Sequence, residues 1–299
     1  MSNSSFPSID KSVIQSINPQ GNNVGHELFI LREDLIHPII SGNKWRKLSH
    51  NVERVKNDKL AGIISYGGAF SNHLLALACA CDIFKIPCIL YVRGEELNAS
   101  SNAYLSFCNQ KGAQLKFLSR DAYSREKHKD GPVNRDGDIW LSIPEGGANH
   151  LGLKGCMEII DPSMDFDIIA LAQGTTTTSL GVLLGTKKNS EIWGFPVLKS
   201  FNSLQEMEDL SKYCQVFEQW KEAKNRLKIF PNYHFAGYAK GQDAVNKQIK
   251  SYKLEDSIKF DPIYTAKAFI GMMEELKAIT KPKRVLFIHT GGVFNGLLT

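Results

Sequence analysis

Two short runs, Ile168-Ile169-Ala170-Leu171-Ala172 and Val285-Leu286-Phe287-Ile288, are apolar at every position. A strand with one face in water would alternate, so these are strands covered on both faces, as in a parallel sheet with helices packed above and below it. The rest of the chain supplies such partners. Strand-like segments stand near residues 28–32, 62–65, 88–92, 114–118, 139–142, 167–172, 191–195 and 284–289. Helical spacing falls between them at 44–56, 71–84, 100–111, 177–188, 204–222, 242–252 and 265–279. This alternation predicts an α/β fold of parallel sheets flanked by helices. At 299 residues the chain is long for one core and suits two lobes. Four strands and their helices run contiguously early on, which predicts a smaller domain over 45–157 and a larger one from 1–44 with 158–299.

Composition removes several functions. The formal charge is +5, and the basic runs at 125–129, 221–228 and 281–284 are short, with no basic-aromatic module beside them. Nucleic-acid binding is therefore not expected. The six cysteines, at 79, 81, 88, 108, 156 and 214, include no C-x-x-C pair, so no zinc site or dithiol is indicated and no metal is expected. The longest apolar run, 74–81, is too short to span a bilayer. Residues 1–18 are polar and lack the apolar core of a secretory signal. The expectation is a soluble cytoplasmic protein.

Chemistry enters at Gly42-Asn43-Lys44, which opens a segment with apolar residues Trp45, Leu48, Val52 and Val55 at helical spacing. The positive end of a helix disfavours a protonated ammonium. A lysine so depressed can form a Schiff base with a carbonyl. Far along the chain, the strand at 167–172 runs into Gln173-Gly174-Thr175-Thr176-Thr177-Thr178-Ser179 and then an apolar helix. A glycine turn entering a hydroxyl-rich helix start presents free amides and donors to an anion. No G-K-[ST] or G-x-G-x-x-G accompanies it, so the predicted anion is a single phosphate held without metal. Tyr66-Gly67-Gly68-Ala69-Phe70-Ser71-Asn72-His73 repeats the pattern and suits a substrate carboxylate. Asp261-Pro262-Ile263-Tyr264-Thr265 opens a helix and offers a phenol, and His289-Thr290-Gly291-Gly292 ends the last strand. A reactive amine, one phosphate pocket, a carboxylate pocket and a phenol are the parts that pyridoxal 5′-phosphate requires.

With these motifs in this order, the sequence resembles the 1-aminocyclopropane-1-carboxylate deaminase / D-cysteine desulfhydrase family of fold-type II pyridoxal-phosphate enzymes, which are tryptophan synthase β-like. The likeness runs from about Leu28 to the C-terminus and includes Arg32-Glu33-Asp34, Arg46-Lys47-Leu48, Ile143-Pro144-Glu145-Gly146-Gly147 and Tyr233-His234-Phe235 with Gly237-Tyr238. The resemblance implies a two-lobed fold and makes Lys44 the Schiff-base lysine. It puts Asn72 near the cofactor's ring hydroxyl, and Ser71, Asn72 and His73 near the substrate. Gly174, Thr175, Thr176, Thr177 and Thr178 would hold the phosphate, Tyr238 and Tyr264 would face the substrate, and Thr265 or Thr290 would approach the ring nitrogen. Lys44, Ser71 and Tyr264 are the implied catalytic residues. A small amino acid is the implied substrate, and a homodimer is the expected assembly.

Departures from the family pattern bear on that substrate. Family deaminases carry Gln where this chain has His73 and Glu where it has Thr265. A neutral threonine at the ring nitrogen gives a weaker electron sink than a carboxylate, which suits loss of a good leaving group better than opening of a cyclopropane. Leu74-Leu75 replaces the usual Thr-Arg, and Ala266 replaces a glycine. The expectation is a lyase or deaminase, D-cysteine desulfhydrase-like, releasing ammonia and a 2-oxo acid. The alternatives are a 1-aminocyclopropane-1-carboxylate deaminase, with Ser71 or Tyr264 as its nucleophile, and a catalytically weak cofactor-carrying regulatory protein.

Overall fold

The computed structural model describes residues 6–186, 189–197, 202–237 and 240–292. In chain order the elements are β1 (Ile14–Ile17), β2 (Glu27–Leu31), α1 (Asn43–Asn57), β3 (Ile63–Gly67), α2 (Asn72–Phe84), β4 (Cys88–Arg93), α3 (Ala103–Gln110), β5 (Gln114–Leu118), α4 (Arg120–Glu126), β6 (Gly131–Arg135) and β7 (Asp138–Ile143). There follow α5 (His150–Met157), β8 (Ile168–Gln173), α6 (Thr177–Gly185), β9 (Glu191–Pro196), α7 (Ser203–Tyr213), α8 (Phe217–Ala223), β10 (Leu227–Ile229), α9 (Gln242–Ser251), α10 (Thr265–Leu276) and β11 (Arg284–Ile288).

The strands form two sheets, one in the order β1-β2-β11-β8-β9-β10 and the other β5-β4-β3-β7-β6. Pairing is parallel except at β1 with β2 and at β6 with β7. In the larger sheet the continuous apolar runs divide by parity. Ile168, Ala170, Val285 and Phe287 pack with Phe269 and Met272 of α10. Ile169, Leu171, Leu286 and Ile288 pack with Leu180 and Leu183 of α6 on the opposite face. The smaller sheet has its own core, in which Leu90 and Leu141 meet Leu48 and Val52 of α1 and Leu75 and Leu77 of α2. All six cysteines are buried and unbridged.

All eight strands expected from sequence form. The additional strands β1, β6 and β10 are the polar or short ones at sheet edges, where pattern is weak. The helix expected over 204–222 is two helices, because Gln215 takes a left-handed conformation (φ 58°) and breaks the run. Helices α4 and α5 are not marked by apolar spacing in the sequence. Leu153 and Cys156 of α5, expected with the smaller domain, pack in the core of the larger sheet.

Three helices fix the geometry that matters for function. A side chain at Gly155 of α5 would overlap the carbonyl oxygen of Arg46 in α1. At Gly181 of α6 it would overlap Cys156, and at Gly185 the carbonyl oxygen of Met157. Helix α5 thus lies between α1 and α6 with glycine at both contacts. Arg46 also donates to both oxygens of the buried Glu33, at 2.9 and 2.7 Å, which ties α1 to the turn after β2. Gly155→Ala is expected to destabilise the protein by about 1–3 kcal/mol in urea unfolding, the usual range for overpacking. Exposed Lys154→Ala should stay within about 0.5 kcal/mol of the parent. Equal stability of the two variants would mean that the three-helix contact yields freely.

Candidate active site

Gly42 enters α1 with φ 58° and ψ −137°, and a side chain there would overlap the carbonyl of Thr290. The start of α1 is thereby pressed against the loop after β11. Lys44, in the first turn, lines a cavity of about 710 Å³ together with Asn43, Ser71, Asn72 and His73. Gly174, Thr175, Tyr264 and Thr290 line it from the larger sheet. Residues from the carboxyl ends of β3, β8 and β11 therefore converge on one space, as parallel sheets dictate.

The Lys44 amine donates to Asn43 Oδ1 at 2.8 Å, and Asn43 Nδ2 donates to Thr178 Oγ1 at 2.9 Å. Burial, with Lys47 as a second cation nearby, drives its pKa from 10.5 down to about 7. Near neutrality the amine is therefore substantially unprotonated, and so nucleophilic and basic. Lys47 is itself buried and donates to Thr175 Oγ1 at 2.8 Å and to the Gly146 carbonyl at 3.2 Å. Burial lowers its pKa as well. Lys47 is a site residue that the sequence analysis does not single out. The available signal was its spacing, since three residues on from Lys44 in a helix is the same face.

The Gly174 turn divides its labour differently from expectation. Gly174 and Thr175 face the cavity, whereas Thr176, Thr177 and Thr178 are buried and do not line it. Thr176 offers no side-chain cap, so the first-turn amides of α6 have no side-chain acceptor there. The hydroxyls of Thr177 and Ser179 are buried without a partner among the described residues. A side chain on Gly174 would come within 2.9 Å of the Tyr264 ring. Bare amides, orphaned hydroxyls, two desolvated amines and a glycine floor are what a phosphate-bearing aldehyde fits.

Ser71 caps α2, accepting from the Leu74 amide at 3.3 Å, and lies on the cavity wall. His73 is buried. Ser65 Oγ donates to the Ile143 carbonyl at 2.8 Å, so His73 Nε2 donates to Ser65 Oγ at 2.9 Å. That leaves Nδ1 as an acceptor with no partner among the described residues. Burial, then Lys47 and Lys44, push this imidazole down to about 3, so it is neutral throughout the working range. His289 is a structural residue. It accepts from the Gly291 amide at 3.3 Å, donates to the Lys259 carbonyl at 2.9 Å and stacks on Phe260. Thr265 does not line the cavity. It is buried, and its hydroxyl donates to Asp261 Oδ2 at 2.7 Å. Tyr238 lies outside the described residues.

Residues 8–291 match the family described as pyridoxal-phosphate dependent enzyme, and the chain belongs to that family. Its cofactor is pyridoxal phosphate. Among curated relatives, a candidate 1-aminocyclopropane-1-carboxylate deaminase of Thermotoga maritima is 28% identical over 96% of this chain and 95% of its own length. A mitochondrial bifunctional D-cysteine desulfhydrase/1-aminocyclopropane-1-carboxylate deaminase of Arabidopsis thaliana is 27% identical over 90% of this chain and 73% of its own. Among solved structures, one of a homologue of 1-aminocyclopropane-1-carboxylate deaminase superposes with a TM-score of 0.74, at 22% identity over 98% of this chain and 94% of that one. An L-serine ammonia-lyase from Rhizomucor miehei gives 0.66, at 14% identity over 94% and 93%. These likenesses bear out the fold-type II architecture. No helix among the described residues is long and apolar enough to cross a membrane.

The shifted Lys44 predicts how stability follows pH. In cofactor-depleted protein the folded amine loses its proton near 7 and the unfolded one near 10.5. Between those values unfolding takes up a proton, so this group's penalty is full below about pH 7 and is relieved as pH rises. Lys44→Met, which carries no charge, should therefore be more stable than the parent at pH 7. The gap should close towards pH 10. A gap that stays constant across the range, measured by urea unfolding, would show that Lys44 is not desolvated.

Proposed function

We propose that the protein is a lyase or deaminase that uses pyridoxal phosphate to release ammonia and a 2-oxo acid from a small β-substituted amino acid, in the manner of a D-cysteine desulfhydrase. What carries the reading is that an amine poised near neutrality and the Gly174-Thr175 turn, which leads into an uncapped helix start, line one cavity. They are joined through Asn43 to Thr178 and through Lys47 to Thr175. When bound, the cofactor withdraws electrons from the substrate's Cα.

In this reading Lys44 holds the cofactor's aldehyde and, once released, takes the Cα proton on its Nζ. Its low proton affinity in this setting supports both tasks. Thr175, Lys47 and the first-turn amides of α6 take the phosphate, while Thr176, Thr177 and Thr178 act through the backbone and the buried hydroxyls behind it. Ser71 and Asn72, at the start of α2, orient the substrate carboxylate. Tyr264 faces the substrate from the opposite wall and can exchange a proton at its phenol oxygen. Neutral His73, with Nδ1 bare, can accept a hydrogen bond but adds no charge. Thr290 is assigned to the ring nitrogen, since it lines the cavity and Thr265 does not. In this reading the chain divides into two lobes, 1–44 with 158–299 and 45–157, except that α5 packs with the larger, and the cavity lies between their sheets.

Both curated relatives described above, among others, are named for 1-aminocyclopropane-1-carboxylate deaminase, which keeps that activity as the second reading. The neutral Thr290 favours the first, because a hydroxyl donates to a ring nitrogen without stabilising a charged pyridinium. Borohydride should fix the cofactor on Lys44, and peptide mapping that finds it on another lysine would overturn the site. In ammonia-release assays D-cysteine or β-chloro-D-alanine should exceed 1-aminocyclopropane-1-carboxylate by at least about ten-fold in kcat/KM, roughly 1.4 kcal/mol. Equal turnover of the cyclopropane would reverse the substrate assignment and leave the cofactor site standing.

A further inference from the structure

The cavity does not end at Lys44. Strands β3, β4 and β5 are parallel neighbours, and their carboxyl ends form one rim. The end of β3 carries Gly68 and Ser71, the end of β4 carries Arg93, and the end of β5 leads into Arg120. Adjacent strands are about 4.8 Å apart, so two steps carry the rim roughly 10 Å outward from the Ser71 turn. Both arginines line the Lys44 cavity, and both also line an adjoining cavity of about 380 Å³ with Tyr123, Ser124 and Lys127. The Arg93 guanidinium reaches back over the Gly68 turn, with Nη2 3.7 Å from where a Cβ on Gly68 would stand. It rests over the ring of Tyr123, 5.9 Å from its centroid.

The charges on this wall do not cancel. Glu145 accepts from Tyr123 Oη at 2.7 Å and from Lys127 Nζ at 3.2 Å, so its charge is already matched. Among the described residues no carboxylate oxygen lies within 4.0 Å of either guanidinium. Glu96 also lines the cavity, without an ion-pair partner among the described residues, so among these two unpaired cations stand against one unpaired anion. Arginine carries its charge at all working pH values and offers forked donors to planar or tetrahedral oxyanions.

We infer that Arg93 and Arg120 form a second anion subsite at the mouth of the active site, which selects β-substituted alanines whose leaving group is itself an oxyanion, such as a phosphate ester or a sulfonate. This rests on the β-eliminating reading above and supplies its substrate class. The atoms balance with water alone. The Cα–H and Cβ–X bonds break, the proton passes to Lys44, X departs with the bonding pair, a proton is returned to Cβ to make the methyl group, and water replaces the nitrogen. Ammonium, pyruvate and the free oxyanion result. The arginines hold X as it gains the pair, so their contacts strengthen as the bond breaks.

The test compares O-phosphoserine with uncharged O-acetylserine, each as both enantiomers, in the holoenzyme. The ratio of the two kcat/KM values cancels any effect common to both substrates. In the parent the ratio should favour the phosphate ester, and in Arg93→Gln/Arg120→Gln it should fall roughly ten- to hundred-fold, as loss of charge-assisted hydrogen bonds implies. Arg93→Lys/Arg120→Lys should retain part of the preference. An equal loss on both substrates would overturn the subsite, because the arginines would then serve the shared α-carboxylate or the fold. Calorimetric titration of the protein as purified provides an arm that needs no turnover. Tighter binding of O-phosphoserine than of O-acetylserine, abolished in the Gln pair, supports the subsite. Equal affinities refute it, and inorganic phosphate binding as tightly as O-phosphoserine would refute a substrate site in favour of one for free phosphate. Failure of the eliminase reading reads differently, as no ammonia from either compound and no borohydride adduct on Lys44.

Discussion

The separation between the starts of α1 and α6 is the constraint on which the site depends. One supplies the amine and the other the uncapped amides, and no covalent connection shorter than the whole smaller sheet joins them. Helix α5 sets the distance by standing between them with backbone contacts, Gly155 against Arg46 and Gly181 and Gly185 against Cys156 and Met157. Contacts of this kind have no rotamers to relax, so the spacing is stiff. The pairing of Arg46 with Glu33 then prevents α1 from sliding, because separating buried charges leaves each uncompensated. Gly42 completes the arrangement by letting the chain pass against the Thr290 carbonyl.

Stiffness of that order is required by what it holds in place. Two lysine amines, Lys44 and Lys47, lie in a desolvated space; burial lowers the proton affinity of both, and the charge of Lys47 lowers that of Lys44 further. An unconstrained pair would separate into water. The fold tolerates them because Asn43, Thr175 and the Gly146 carbonyl give both amines acceptors. The destabilisation is thus local, at the reacting groups, and is offset by apolar cores on either side. Neutral His73 extends the same logic, since a protonated imidazole beside two amines would raise the local charge further.

What the sequence made legible follows the same physics. The strands of the two cores could be read because burial on both faces leaves them no polar positions. The edge strand Gly131–Arg135 could not, since its alternating exposure and its glycine and proline resemble a loop. Helix α5 was hidden by the glycines that let it pack so closely, for Gly152 and Gly155 lower helical propensity in a short segment. The amine and the Gly174 turn stood out because helix starts with glycine and hydroxyl residues are local patterns. The inward direction of Lys47, the burial of Thr176 to Thr178 away from the cavity and the Ser65 contact that orients His73 are tertiary facts. No local pattern encodes them.

Thr265 shows the same limit and bears on the chemistry. In sequence terms Thr265 and Thr290 are equivalent hydroxyls for the ring nitrogen, and a buried carboxylate, Asp261, lies in contact distance of a side chain placed on Gly292. Asp261 is committed elsewhere. Its Oδ1 accepts the amides of Ile263 and Tyr264, and its Oδ2 accepts the amide and hydroxyl of Thr265. Those four bonds shape the turn that presents Tyr264, and they consume Thr265 as well. A carboxylate so saturated has little capacity left to stabilise a charged pyridinium. The turn that positions the phenol therefore removes both alternatives at once, which is why the neutral Thr290 is the partner we propose; with that partner, the leaving group would carry more of the burden than with a free acid at that wall.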